Sequence, residues 1–268
     1  MSVSAQAAVR RGVSPLRVVL AILWRDAVVT WRDIISVLAQ VVLQPLVMLF
    51  IFVGVLGRLA YVDPSYDDVL LPGVVAMSGF VAALQAVALP LMMEFGYTKE
   101  IEDRLLAPVP ISLVGLEKVL AAALRALFAA AVTLPAGMLI VQDATFRVDG
   151  LPLLVLSVLL GGWAAGAIGL IIGTLLPPSK VGIMFALIIA PMLFTGGTQY
   201  PWPSLGKLPW FQVLTALNPM TYASEGVRAA LEPQVPHIEP WISMVVLTGS
   251  CVVLTAIGMV SFRRRSLT

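Results

Sequence analysis

From Leu151 to Leu176 the chain carries no charged residue, and its only hydroxyls are Ser157 and Thr174. A helix rises about 1.5 Å per residue, so one over this stretch exceeds the roughly 30 Å hydrocarbon core of a bilayer. Similar stretches, bounded by charges, occupy about 34–57, 69–93, 117–141, 181–199 and 240–262. With 12% charged residues and a mean hydropathy of +0.97, the chain lacks the polar surface of a soluble domain, where about 25% of residues are charged. Backbone N–H and C=O groups find no water in hydrocarbon, which leaves helices as the form these spans take. The expectation is an all-α polytopic membrane protein with six transmembrane helices.

The third stretch is the least clean. Lys118 and Arg125 lie in its first two turns, seven residues apart and on one face. A long cation there either snorkels back to the interface or serves as an intramembrane charge, and both readings stay open. Orientation follows from the basic residues. With both termini inside, the inner segments hold Arg10, Arg11, Arg17, Arg25, Arg32, Lys99, Arg104, Lys118, Arg125, Lys180, Arg263, Arg264 and Arg265, against Arg58, Arg147, Lys207 and Arg228 outside. Positive charge on the cytoplasmic side therefore places both termini in the cytoplasm. Arg263–Arg265 anchor the last span. No cleavable signal peptide is expected, because a long polar-bounded segment precedes the first span and no small-residue cleavage site follows a short apolar run.

Residues 13–32 read as an interfacial helix. Ser14 is suited to cap it and Pro15 to start it, and Leu16, Leu20, Leu23, Trp24, Ala27 and Trp31 recur at helical spacing opposite Arg25 and Arg32. A cytoplasmic extension of the first span is the alternative. In the fourth span Gly162, Gly166, Gly169 and Gly173 share a face that admits a close helix, within the chain or across subunits. Pro90, Pro135 and Pro191 are expected to kink their spans. The segment 200–239 forms an outer hairpin rich in proline and aromatics. Asn218 is a natural N-cap, Pro219 suits the first turn, Glu232-Pro233 stops the helix, and a second short helix is expected around Leu205–Leu217. A re-entrant hairpin and an aromatic interface belt both fit.

One polar stretch stands out against this background. Lys99-Glu100-Ile101-Glu102-Asp103-Arg104-Leu105-Leu106 separates two apolar spans and ends at Pro108 and Pro110. Its strong helix formers, sharp stop and leucine side predict a short amphipathic helix that needs a partner surface. Catalytic chemistry is not indicated. Cys251 and His237 are each alone of their kind, so no cysteine framework or metal set exists, and no paired carboxylates or nucleophile–base pair lies in the spans.

Glu100-Ile101-Glu102-Asp103-Arg104-Leu105-Leu106-Ala107-Pro108-Val109-Pro110 resembles the signature that follows the second span in membrane subunits of type-2 ABC exporters. Phe194-Thr195-Gly196-Gly197-Thr198-Gln199-Tyr200-Pro201, Leu217-Asn218-Pro219-Met220-Thr221-Tyr222 and Glu225-Gly226-Val227-Arg228 resemble that family's outer-hairpin pattern. The resemblance implies a single type-2 ABC transmembrane domain over 1–268, working as an export permease for a hydrophobic drug-like compound or lipid. It implies dimers of two permease subunits (homo- or heterodimers) in the cytoplasmic membrane of a bacterium. Each would bind a separate cytoplasmic ATPase subunit, because the chain has no Gly-x-x-x-x-Gly-Lys-Ser/Thr loop to cradle phosphates. ATP and Mg belong to that partner; this chain is expected to bind no cofactor, metal or nucleic acid and to catalyse no reaction itself.

By the same resemblance, 98–107 is the coupling helix, with Lys99, Glu100, Glu102, Arg104, Leu105 and Leu106 facing the ATPase. A substrate path along spans one, two and five would offer Gln40, Gln44, Met77, Phe80, Gln85, Phe185, Met192 and Phe194. Tyr200, Pro201, Asn218, Pro219 and Arg228 mark the outer hairpin. An undecaprenyl-linked glycan is the second substrate class; Arg25–Asp33 looks more like drug-export members. An ion-coupled secondary transporter would call for mid-membrane ionisable groups and inverted repeats, of which only Arg125 is a trace. A channel or scaffold leaves the charged segment without a role.

Overall fold

A computed structural model describes residues 43–61, 63, 66–98, 111–141 and 148–266. Every regular element among them is helical. Helix α1 is Gln44–Gly57, apolar but short. Helix α2 is Tyr66–Met93, prolonged by a π turn, Glu94–Thr98. Next come α3, Ile111–Met138, and α4, Leu151–Leu175. Helix α5 is Pro178–Thr195, broken midway by the π turn Phe185–Ile189. A 3-10 turn, Trp202–Lys207, leads to α6, Pro209–Ala216, and α7, Pro219–Leu231, before α8, Pro240–Ser266. Helices α2, α3, α4, α5 and α8 are long and apolar enough to cross a bilayer. Residues 43–57 of the anticipated first span are described, whereas the anticipated interfacial helix and the charged segment from Lys99 lie outside the described residues.

Local sequence explains the ends of these elements. Asp67 and Asp68 lie in the first turn of α2, and Arg263, Arg264 and Arg265 in the last turn of α8, where each charge complements the helix dipole. The helices run on through Pro72, Pro90 and Pro135. Around Pro191 the path changes differently: the π turn ends at Ile189, and a fresh α-helical stretch starts with Pro191 in its first turn, where a missing N–H is harmless.

Helix α4 is the hub, packed on α2, α3, α7 and α8. Its glycines make this possible, and they serve two neighbours. A Cβ on Gly162 would sit 2.4 Å from Ala126 Cβ of α3, and one on Gly169 would sit 2.6 Å from the Leu84 carbonyl oxygen of α2. The close approach is thus within the chain, divided between two helices along the length of α4. Trp163 Nε1 donates to Thr255 Oγ1 at 3.0 Å and Cys251 Sγ to the Leu160 carbonyl at 3.3 Å, tying α4 to α8. The core includes Leu70, Val74, Leu84 and Leu91 of α2 with Val119, Ala126, Val158, Leu170, Val227 and Phe262.

Burial is uneven. In its most apolar stretch α2 is 72% buried within the chain, whereas α5 is 11% buried. Helix α5 therefore turns Ile183, Leu187 and Phe194 outward, toward a surface that lipid or another chain must cover, since apolar area of this extent is costly in water. The turn joining α5 to α6, together with α6 and α7, defines one end of the bundle, the hairpin end. Glu94, Lys118, Pro178 and Arg263–Arg265 lie at the other, the basic end.

Gly162→Val forces the α3–α4 contact apart, and overpacking of this kind costs about 1–3 kcal/mol. Gly249→Ala, at a position with nothing within 4 Å of an added Cβ, is expected to be neutral or to stabilise by about 0.5–1 kcal/mol through helix propensity. Thermal unfolding of the two variants in detergent checks the contrast.

Candidate functional site

At the hairpin end the chain leaves α5 at Thr195 and turns sharply. Gly197 takes φ +62°, the left-handed region that favours glycine. A non-helical turn buried among helices exposes carbonyl oxygens that water cannot reach, so donors must come from side chains. They come from one stripe on α7. Asn218 Nδ2 donates to Met192 O at 2.7 Å and to Thr195 Oγ1 at 2.9 Å. Thr221 Oγ1 lies 3.1 Å from Thr195 O and 2.7 Å from Thr215 O. Ser224 Oγ donates to Gly196 O at 2.7 Å, and Arg228 Nη2 to Gly197 O at 2.8 Å. The four positions are spaced three, three and four apart, one face of a helix. From α2, Tyr66 Oη donates to Gln199 O at 2.8 Å. Gly73 lets α2 come this close: a Cβ there would lie 1.8 Å from Thr198 O.

Glu225 completes the arrangement. Both Glu225 and Arg228 are fully buried, and they form an ion pair across one turn of α7. Glu225 Oε1 also accepts from the Trp202 N–H at 2.9 Å, and Oε2 from the Ile238 N–H at 2.8 Å. One carboxylate thereby holds the start of the 3-10 turn and the approach to α8. Burial pushes the Glu225 carboxyl up from its ordinary value; the Arg228 charge, the two N–H donors and His237 oppose that. Burial likewise pushes the Arg228 guanidinium down, against the Glu225 charge. Asn218 is the N-cap of α7, accepting from the Met220 N–H at 3.0 Å, with Pro219 in the first turn.

The anticipated helix from Met220 to Leu231 is α7, and the anticipated second helix around Leu205–Leu217 is split between the Trp202–Lys207 turn and α6. From Thr221 to Leu231 every residue except Tyr222 is buried. Helix α6 instead presents Trp210, Val213 and Leu214 outward, as does Leu217 just after it. Tyr200 stacks near Phe211, with ring centroids 5.8 Å apart, and its hydroxyl donates to Phe194 O. Pro201 immediately precedes the 3-10 turn. The outer-hairpin motifs contain Thr221 and Glu225 without assigning either a role, and Ser224 falls between them. The signal available was the polar stripe at helical spacing inside an otherwise apolar helix.

A second feature is a shallow cleft between α1, α2 and α5, lined by Gln44, Pro45, Met77, Ser78, Val81, Ala82, Gln85 and Leu193, with a cavity volume of about 20 Å³. It brings together Gln44, Met77 and Gln85 of the anticipated path. Phe80 is elsewhere, buried in the core. Phe185 and Phe194 point outward. Met192 packs partly against the core, and its carbonyl serves Asn218. Gln40 and the segment holding Lys99, Glu100, Glu102, Arg104, Leu105 and Leu106 lie outside the described residues. Lys118, open between snorkelling and an internal role, is paired with Glu94 of the π turn at 3.0 Å; Arg125 is half-buried.

Comparison with known proteins matches the family model described as ABC-2 type transporter to residues 17–231. The ycf38 protein of Pyropia yezoensis, whose name marks it provisionally as a transport permease, is 27% identical over 230 residues, covering 80% of this chain and 74% of its own. The ycf38 protein of Porphyra purpurea, named in the same way, is 26% identical over 205 residues, covering 74% of this chain and 68% of its own.

Arg228→Leu leaves the Glu225 carboxylate buried without its cation, which costs about 3–5 kcal/mol. Glu225→Leu/Arg228→Leu recovers only part of this, because the Trp202 and Ile238 N–H groups and Gly197 O lose their partners together. Asn218→Ala removes the cap for about 1 kcal/mol and leaves Met192 O without its donor for about 1–3 kcal/mol more. Chemical unfolding of the purified chain in detergent ranks the three.

Proposed function

This chain belongs to the ABC-2 type transporter family, and from that premise we propose that it is the permease subunit of an ATP-driven exporter for a hydrophobic drug-like compound or lipid. The observation that carries the reading is the family match over 17–231, which includes both the charged segment and the whole hairpin end. Membership makes the protein a multi-pass transport component and implies an ABC ATPase partner in general terms.

The whole of 1–268 is one transmembrane domain with six spans, the first formed by 34–57. It lies in a bacterial cytoplasmic membrane with its basic end and both termini in the cytoplasm, where 98–107 seats on the ATPase and 13–32 lies along the membrane surface. ATP and Mg bind in that ATPase, and hydrolysis occurs there. Two permease subunits pair, with helices α6 and α7 as the outer re-entrant hairpin. The sparse intrachain cover on α5 leaves Phe185, Leu187 and Phe194 as an apolar face that a second permease subunit, like lipid, would cover. The cleft of Gln44, Met77 and Gln85 lies where a path along the first, second and fifth spans would open. Its amide, thioether and alkyl groups suit an apolar ligand with few polar handles. Nucleotide binding draws two ATPase subunits together and biases the spans between inward-closed and outward-open states. An undecaprenyl-linked glycan is the second substrate class.

Two measurements test the proposal. Glu102→Ala/Leu105→Ala is expected to weaken co-purification of the ATPase about tenfold or more, as truncation of central contacts does, while membrane insertion stays intact; undiminished co-purification and transport would remove the coupling role. In proteoliposomes, hydrolysis by the complex should rise with hydrophobic drugs or lipids. Uptake driven by an ion gradient without ATP sinks the exporter reading.

A further inference from the structure

Three consecutive residues at the basic end of α2 are each held by a different part of the chain. Glu94, buried, pairs with Lys118 of α3 at 3.0 Å. Phe95 meets Phe262 of α8 edge-on, with ring centroids 5.9 Å apart at 71°, and the Arg265 guanidinium lies 5.9 Å from the Phe95 ring centre. Gly96 abuts the start of α5, where an added Cβ would lie 2.2 Å from Pro178 Cγ. These residues open the π turn Glu94–Thr98. Successive side chains on a helix diverge by about 100°, so three neighbours in sequence fan out toward three helices. The wider π turn is a local departure of the kind that marks functional positions.

We propose that Glu94, Phe95 and Gly96 form a mechanical joint: positioning residues that deliver any displacement of the chain after Thr98 to α3, α5 and α8 at once. The inference rests on the reading of 98–107 as the ATPase contact. Its physical basis is the mixture of contacts. The Glu94–Lys118 pair is directional and lies between two poorly hydrated side chains, so it resists sliding of α2 against α3. The Phe95–Phe262 contact, with Arg265 over the ring, grips the last turn of α8. The glycine lets backbone bear directly on the proline ring, with no flexible side chain between to absorb motion. The three contacts fall on three separate spans. In sequence Glu94 precedes the charged segment and Lys118 follows it, so their pair ties together the described helices on either side of it.

The test uses this chain in complex with its ATPase subunit in nanodiscs, with Mg-ATP and vanadate as the only added ligands, read by hydrogen-exchange mass spectrometry. In the unaltered complex, nucleotide trapping is expected to change exchange in α3, in the first half of α5 and in the last turns of α8 together. In Glu94→Gln and Gly96→Ala that nucleotide-dependent difference should fall about threefold or more, the scale on which coupling mutations act, with the ATPase still bound and hydrolysing. The exchanged pair Glu94→Lys/Lys118→Glu should restore the α3 response, a non-additivity that isolates the pairwise contact. Variants whose nucleotide response equals that of the unaltered chain overturn the joint. So do variants that loosen exchange equally with and without nucleotide, since that is a structural defect alone. Failure of the unaltered chain to hold any ATPase is seen before a variant is made; it overturns the reading of 98–107 and takes the joint with it.

Discussion

The hairpin end depends on a single demand: carbonyl oxygens in the turn after α5 must be satisfied where protein has displaced water. Met192, Thr195, Gly196 and Gly197 each meet a donor from the stripe Asn218, Thr221, Ser224 and Arg228 on α7, and Gln199 meets Tyr66. An unmet buried carbonyl costs free energy on the scale of a lost hydrogen bond, so the turn and α7 stand or fall together. The Arg228 that serves Gly197 is itself a buried cation. It requires Glu225, and Glu225 in turn holds Trp202 and Ile238. One chain of necessity thus joins five segments. It explains why so apolar a protein keeps a buried ion pair, which by itself is a weak source of stability.

The rest of the bundle is organised on a different principle. Helices α2, α3 and α4 meet through small residues, Gly162 against Ala126 and Gly169 against the Leu84 carbonyl. In lipid, where burial of apolar surface offers little between helices, close backbone approach gains dispersion contacts instead. Helices α5 and α8 are left with broad apolar faces outward, and α5 is the irregular one, with its π turn just before Pro191. A rigid centre and a less supported, interrupted flank suit a permease that must be held together while part of it moves. At the basic end charge and aromatic contacts take over, and the π turn after Met93 is gripped by three helices.

Much of this was legible beforehand. Apolar runs bounded by charges located the five long helices, because the bilayer sets their length. Asn218 and Pro219 announced α7, because a cap and a first-turn proline act through neighbours in sequence. The spaced glycines of α4 announced a close neighbour without saying that it was two. Within the cleft, Gln44, Met77 and Gln85 were anticipated together, whereas Phe80 was not separable from them: one turn of helix divides a core residue from a cleft residue, and an apolar composition hides which is which. The role of Glu225 is not legible in the sequence, because its partners Trp202 and Ile238 lie 23 and 13 residues away and contribute backbone, which carries no side-chain signature.

Sequence by itself therefore determined the helical class, the bilayer-length spans, the start and stop of α7 and the presence of a charged segment between two spans. Each follows from interactions local in the chain or from the thickness of the hydrocarbon. Tertiary structure alone decided that a polar stripe on α7 caps the turn after α5, that α4 lends its glycines to two helices, and that Lys118 of α3 answers Glu94 of the π turn. Those pairings join residues far apart in the chain, and only the packed geometry, in which each buried donor must find its acceptor, selects them from the alternatives.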